Sequence, residues 1–98
     1  QKMHFMLWST PPRATFHLDM TAEERGIMHR HIAYWTEQQN QGIALVFGPV
    51  QKPDDPHGLA VIEVENADQV TKLIAEDPAV AAGLMTTDFY PMMAVVRK

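Results

Sequence analysis

Hydrophobic side chains first run together, then recur every third or fourth position, then alternate, and these changes of period mark the elements of the chain. Met3 to Trp8 is a short, almost wholly apolar run ended by Ser9-Thr10-Pro11-Pro12, which predicts a strand covered on both faces, Met3, Phe5 and Leu7 on one and His4, Met6 and Trp8 on the other. Pro11 to Met20 has no period and two prolines without an N–H, so it reads as a loop. Thr21 to Gln41 reads as one helix. Thr21 and Glu24 form a capping-box pattern at its start, and Gly42 is placed to end it. Ile43 to Phe47, closed by Gly48-Pro49, and the alternating Leu59 to Glu65 read as a hairpin around the turn Lys52 to Gly58. Asn66 caps a second helix with the stripe Ala67, Val70, Leu73 and Ile74. The helix stops near Glu76, because a residue before proline is pushed out of the helical region. A short turn restarts at Pro78 and closes at Gly83, and Met85 to Val96 supplies a last strand in which Pro91 requires an edge or a bulge.

The order β-α-β-β-α-β predicts an α+β, ferredoxin-like fold: one domain over residues 1–98, with a four-stranded antiparallel sheet and both helices on one face. The other face would carry Met6, Trp8 and Met92, too apolar to meet water over four strands. A second copy of the chain is the expected cover, giving a homodimer with the sheets face to face.

The long helix contains the residue with the most chemistry. At roughly 100° per residue, Tyr34, Ile27, Trp35, Met28 and Ile32 fall on a single arc, and His31 lands near the middle of it. A solvated histidine would lie opposite, where His29 and Thr36 point. A shielded imidazole either has a hydrogen-bond partner for structural reasons or has a task in proton transfer. Burial disfavours its charged form and a neighbouring carboxylate favours it, so the two effects oppose each other.

Composition narrows the function classes. At 46% hydrophobic and 20% charged, with net charge −4, the chain is an ordinary globular one without the basic stripe that nucleic acid requires. No apolar stretch approaches the roughly 18–20 residues that span a bilayer, so no membrane partner is expected and the chain is predicted to be soluble. There is no cysteine, which excludes disulfides, thiolate nucleophiles and zinc–thiolate sites. The first residue is Gln1, which suggests a removed tag or signal segment and leaves a cytoplasmic or an exported location equally open. His29 and His31 diverge by about 200° on a helix and cannot share an ion, so no metal is expected. The one serine, Ser9, stands in no nucleophile motif, and the isolated glycines form no phosphate loop.

Four further residues carry two readings each. Asp77 before Pro78 is an N-cap, and one of its oxygens could still face a pocket. Arg13 is a solvated loop residue or a lid residue that clamps a carboxylate or phenolate. Trp8 and Trp35 are core side chains, or they line a pocket that favours a planar aromatic ligand.

The run His31-Ile32-Ala33-Tyr34-Trp35, Gly42 followed by Gly48-Pro49, and Asp77-Pro78-Ala79-Val80-Ala81-Ala82-Gly83-Leu84 resemble the YCII-related family. Pro11-Pro12-Arg13-Ala14-Thr15-Phe16 through Asp19-Met20-Thr21 is similar to one branch of it. The resemblance covers nearly the whole chain. It implies the dimeric α/β-barrel group, which includes small isomerases and monooxygenases, and a catalytic histidine and aspartate that fall here on His31 and Asp77. Elimination of a halide from a hydroxylated aromatic ring is one activity attributed to the family. Many members also place an aspartate two residues before the glycine that ends the first helix. Here that residue is Asn40, which can orient an imidazole but cannot stabilise an imidazolium by charge.

The function these readings lead to is a small homodimeric enzyme in which His31 is a general base, Asp77 its partner and Arg13 a substrate clamp, acting on a hydroxylated or acidic small molecule. Isomerisation or elimination fits, since both need proton transfer and no cofactor. The alternatives are a non-catalytic module that holds a small ligand in the same cleft, and a purely structural dimerisation unit.

Overall fold

The computed structural model describes residues 2–97. The elements follow in the order β1 (Met3–Thr10), α1 (Phe16–Asp19), α2 (Ala22–Asn40), β2 (Ala44–Val50), β3 (His57–Val64), α3 (Ala67–Glu76), α4 (Pro78–Ala81) and β4 (Thr86–Met92). The strands form one antiparallel sheet in the order β2-β3-β1-β4, the ferredoxin-like arrangement.

Strand alternation decides what each face carries. Phe5 and Leu7 of β1, Ala60, Ile62 and Val64 of β3 and Ala44 of β2 point to the helices and pack with Trp35 of α2 and Val70 of α3 into the core. The register Leu7↔Ala60, Phe5↔Ile62 and Met3↔Val64 fixes this pairing, because a slip of one residue would turn every side chain to the wrong face. The other face presents Met6, Trp8, Leu59, Val61, Val46, Tyr90 and Met92, and Tyr90 is 51% exposed. A hydrogen bond crosses this face, between His4 Nε2 and Glu63 Oε2 at 2.9 Å.

The element boundaries differ from the sequence expectation where local chemistry overrides period. The Pro11–Met20 segment is not all loop: Phe16–Asp19 makes one turn of helix, too short to show a period, and buries Phe16. β2 runs through Gly48-Pro49 to Val50 instead of ending before them, which proline tolerates because β2 is a sheet edge. β3 begins at His57, inside the expected turn. β4 ends at Met92 and not near Val96; Pro91 lies on it opposite Phe5, again on an edge. On α2 the covered arc runs through Ile27, Met28, His31, Tyr34, Trp35 and Gln38, while Ile32 flanks it and is 51% exposed. Gly42 and Gly83 have φ of +80° and +73°, so both helix endings use the left-handed region that glycine enters without strain.

Arg13 ties the α1 segment to the start of α2. Its Nη1 and Nη2 donate to Glu24 Oε2 and Oε1 at 2.9 and 2.7 Å, and its Nε donates to Asp19 Oδ1 at 2.8 Å. Glu24 also completes the capping box, accepting from Thr21 N while its own N–H donates to the Thr21 hydroxyl. The Arg13 bonds, followed by the one from Thr21 N, hold the Glu24 carboxyl down at about 2. A carboxyl lowered on folding stabilises the fold above its unfolded value near 4.5, and that contribution is lost as pH falls from there towards about 2. In denaturant titrations at about pH 5 and about pH 2.5, Glu24→Gln should therefore lose less stability on acidification than the parent. An equal loss in both proteins would show that the cluster is solvated and contributes nothing.

Candidate functional site

The centre of the site is a buried carboxylate. Asp77 is 2% exposed and sits where α3 gives way to α4, with extended backbone (φ −65°, ψ 124°) forced by Pro78. Its Oδ1 accepts from Ala79 N at 2.9 Å and so caps α4. Its Oδ2 accepts from Trp35 Nε1 at 2.9 Å, and His31 Nδ1 lies 2.9 Å from both oxygens. Cap and imidazole partner are thus the same residue.

His31 and Trp35 reach Asp77 together because they stand four positions apart on α2, one above the other on the same face. The adjacent Tyr34 packs edge-on against Trp35, ring centroids 5.2 Å apart, and donates to the Leu73 carbonyl at 2.7 Å, fastening α2 to α3. Burial, with the nearby Glu76 and Asp77 charges, pushes the Tyr34 hydroxyl up to about 12, so it remains a donor and does not compete as a base.

A carboxylate only accepts, so the His31 nitrogen facing Asp77 carries the proton. In the neutral ring the lone pair is then on Nε2. No buried side-chain nitrogen or oxygen among the described residues lacks a partner, and Nε2 has no partner among them, so it keeps open surface. His31 lines a cavity of about 530 Å³ at the end of the sheet, where β1, the β2–β3 hairpin, α1 and α2 converge. Its walls are apolar: Phe16, Met20, Met28, Ile32, Trp35, Phe47, Pro49 and Met85. Among the described residues, the ionisable ones that line it are His17, His31, Lys52 and His57, and no carboxylate does.

The sequence profile of the YCII-related domain matches residues 3–91. The chain belongs to this family. Among solved structures it is similar to TftG, a 5-chloro-2-hydroxyhydroquinone dehydrochlorinase from Burkholderia phenoliruptrix AC1100 in complex with 2,5-dihydroxybenzoquinone, at TM-score 0.73 and 19% identity over 93% of this chain and 94% of that one. An uncharacterized protein from Thermotoga maritima is similar at TM-score 0.54 and 10% identity, over 95% and 100% of the two chains. SnoaB, a cofactor-independent oxygenase from Streptomyces nogalater, is similar at TM-score 0.51 and 17% identity, over 98% and 95%. At these identities the likeness is one of fold. No curated protein sequence matches the chain significantly.

Within this YCII-related domain the residues singled out from sequence separate into two groups. His31, Asp77 and Trp35 come together, and His31 and Trp35 line the cavity. Arg13 and Trp8 do not line it. The Arg13 guanidinium is occupied by Glu24 and Asp19, which leaves it a loop anchor. Trp8 points to the other sheet face, where its ring stacks on His57 with centroids 3.4 Å apart and planes 10° apart. Asn40 is exposed, nine residues beyond His31 and so about 13 Å along the helix, too far to orient the imidazole. Sequence reasoning left His57 in a turn, whereas it opens β3 on the same sheet face as Trp8. The signal was Pro56, after which the alternation of β3 already begins.

Asp77→Ala should cost about 2–4 kcal/mol, combining a lost cap with a buried Trp35 N–H left unpaired. Asp77→Asn keeps one acceptor oxygen, which can serve the cap or Trp35 but not both, and should cost less than Asp77→Ala. Thermal or denaturant unfolding of the two variants checks this, and equal losses would mean that the hydrogen bonds are not what Asp77 contributes.

Proposed function

We propose that this YCII-related protein is a small-molecule enzyme in which His31 is the general base and Asp77 its partner. The observation that carries the reading is the His31 ring itself, its Nδ1 held by a buried carboxylate and its Nε2 left open in an apolar cavity. The carboxylate fixes the tautomer and stabilises the imidazolium formed when Nε2 takes a proton. A cavity with apolar walls and only basic ionisable groups suits a planar ligand with an acidic hydroxyl, such as a hydroxylated aromatic or quinoid ring.

The reaction follows from those parts. Nε2 takes the proton of a ring hydroxyl or of an acidic C–H, and the electron pair left behind spreads into the ring. Either the anion takes a proton at the ring carbon that bears an anionic leaving group, which then departs with its bonding pair as a second hydroxyl proton is lost, giving elimination, or a proton returns at another position, which is isomerisation. Both are complete without an electron acceptor. The dehydrochlorination named for TftG is of the first kind, on a hydroxylated ring. The supporting likeness is one of fold alone, and the residue argument rests on the His31–Asp77 geometry.

The proposal includes a second copy of the chain. Met6, Trp8, Val61, Tyr90 and Met92 make an apolar sheet face that no helix of the same chain covers, and an identical face would bury it. The homodimer should bury more than about 1,200 Å² in total. Light scattering at micromolar concentration should give twice the chain mass, and Tyr90→Asp should shift it towards the monomer. A parent that scatters as a monomer would contradict the assembly.

For the chemistry, the parent should bind 2,5-dihydroxybenzoquinone and release chloride from 5-chloro-2-hydroxyhydroquinone. His31→Asn should lower that turnover by at least about 10²-fold while binding changes only several-fold. Turnover unchanged in His31→Asn would overturn the assignment. Binding by the parent with no turnover would favour the alternative of a non-catalytic ligand-holding module, for which the largely apolar cavity is also suited.

A further inference from the structure

The floor of the cavity is the helix-facing side of the sheet, and the pleat decides which side chains form it. Leu7 and Ser9 of β1, Phe47 and Pro49 of β2, and Gly58 and Ala60 of β3 all line the cavity. The pairings Leu7↔Ala60, Ser9↔Gly58, Phe47↔Ala60 and Pro49↔Gly58 put them on one face, the face on which Leu7 and Ala60 join the core. Ser9 carries the one hydroxyl among the described residues that line the cavity. Its partner there is another hydroxyl, Thr87 Oγ1 on β4, 2.8 Å from Ser9 Oγ. A hydroxyl is not a general base, so this pair does not make Ser9 a nucleophile.

The residue opposite Ser9 keeps that hydroxyl uncovered. A Cβ on Gly58 would stand 3.3 Å from Ser9 Cβ and 3.9 Å from Ser9 Oγ, on the same face. Gly58 is not among the glycines with positive φ, so what glycine supplies here is space and not backbone freedom. Each hydroxyl has one hydrogen and two lone pairs, so when Thr87 donates to Ser9 the Ser9 hydrogen is free. We propose that Ser9 is the ligand-orienting residue of the cavity floor, donating its hydroxyl hydrogen to an oxygen of the bound ring while His31 acts from the helix side. Thr87 is then a positioning residue that acts through Ser9. This rests on the proton-transfer reading of the site.

What the hydroxyl contributes follows from where charge develops. Removal of a proton by His31 leaves a delocalised anion with much of its charge on the ring oxygens. A donor already fixed on the floor bonds such an oxygen more strongly than it bonds a neutral hydroxyl. The Thr87 hydroxyl strengthens that donor, because each hydrogen bond in the chain polarises the next. Ser9 therefore orients the ring and favours its anion, and its own hydrogen stays in place throughout.

The experiment is titration calorimetry with 2,5-dihydroxybenzoquinone, run below the melting temperature of every variant. The parent is compared with Ser9→Ala, Thr87→Val and the double variant. Ser9→Ala should weaken binding at least about 10-fold, the loss expected for one hydrogen bond to a charged oxygen. Thr87→Val should weaken it less, and the double variant should bind no worse than Ser9→Ala. Both single variants delete the same hydroxyl pair, so a merely structural Ser9 would lower stability in both and leave affinity untouched. Parental affinity in Ser9→Ala overturns the role of Ser9 and leaves that of His31 standing. Losses that add in the double variant overturn the action of Thr87 through Ser9. A parent that does not bind the quinone overturns the ligand class, and the role of Ser9 with it.

Discussion

A carboxylate buried to 2% exposure must be satisfied from several directions, and the satisfaction of Asp77 organises this molecule. The Ala79 amide, the Trp35 indole and the His31 imidazole meet on its two oxygens. Those donors belong to α2 and α4, so the same hydrogen bonds that pay the desolvation of the charge also lock the long helix to the α3–α4 junction. Displacing any donor would leave the others around a poorly compensated charge, which confines the imidazole to a narrow orientation. Orientation is what a general base requires before anything else. In the proposed reading, stability and chemistry therefore rest on one residue.

Around that anchor the charges are sorted. The acidic residues that balance Arg13, namely Glu24 and Asp19, sit on the outer side of the α1–α2 entry, and Asp77 is sealed behind His31. None of them lines the cavity, although the chain as a whole carries net charge −4. A ligand entering that space meets apolar walls and imidazoles. An anionic or readily ionised ring is the chemistry that such a space stabilises. The Arg13 cluster contributes by holding α1, and with it Phe16, His17 and Met20, as one wall.

Most of the fold was legible because its signals are local. The capping box at Thr21, the Asn66 cap, the glycines after the helices and the Asp-Pro break each act through the residues beside them, and the ferredoxin-like arrangement followed from the element order β-α-β-β-α-β. His31 and Asp77 were legible for related reasons, one as a polar residue on an apolar arc and the other as a cap with an oxygen to spare. What was not legible depends on packing between distant segments. Arg13 reads as an isolated cation until the fold brings Glu24, eleven residues on, against its guanidinium. Trp8 reads as a pocket aromatic until the pleat turns it to the outer sheet face. His57 reads as a turn residue until Trp8 and the Asp55 carbonyl fix its ring. Asn40 illustrates the converse, since a position suggested by resemblance lies too far along the helix to act.

The central claim is that Asp77 holds His31 with its proton on Nδ1 and its lone pair on Nε2. Long-range ¹H–¹⁵N correlation NMR of the labelled protein, at a pH where the ring is neutral, measures this without any ligand. The account predicts a protonated Nδ1 and an unprotonated Nε2 for His31 in the parent, with that preference weakened in Asp77→Asn. A parent His31 with its proton on Nε2, or a tautomer ratio unmoved by Asp77→Asn, would contradict it.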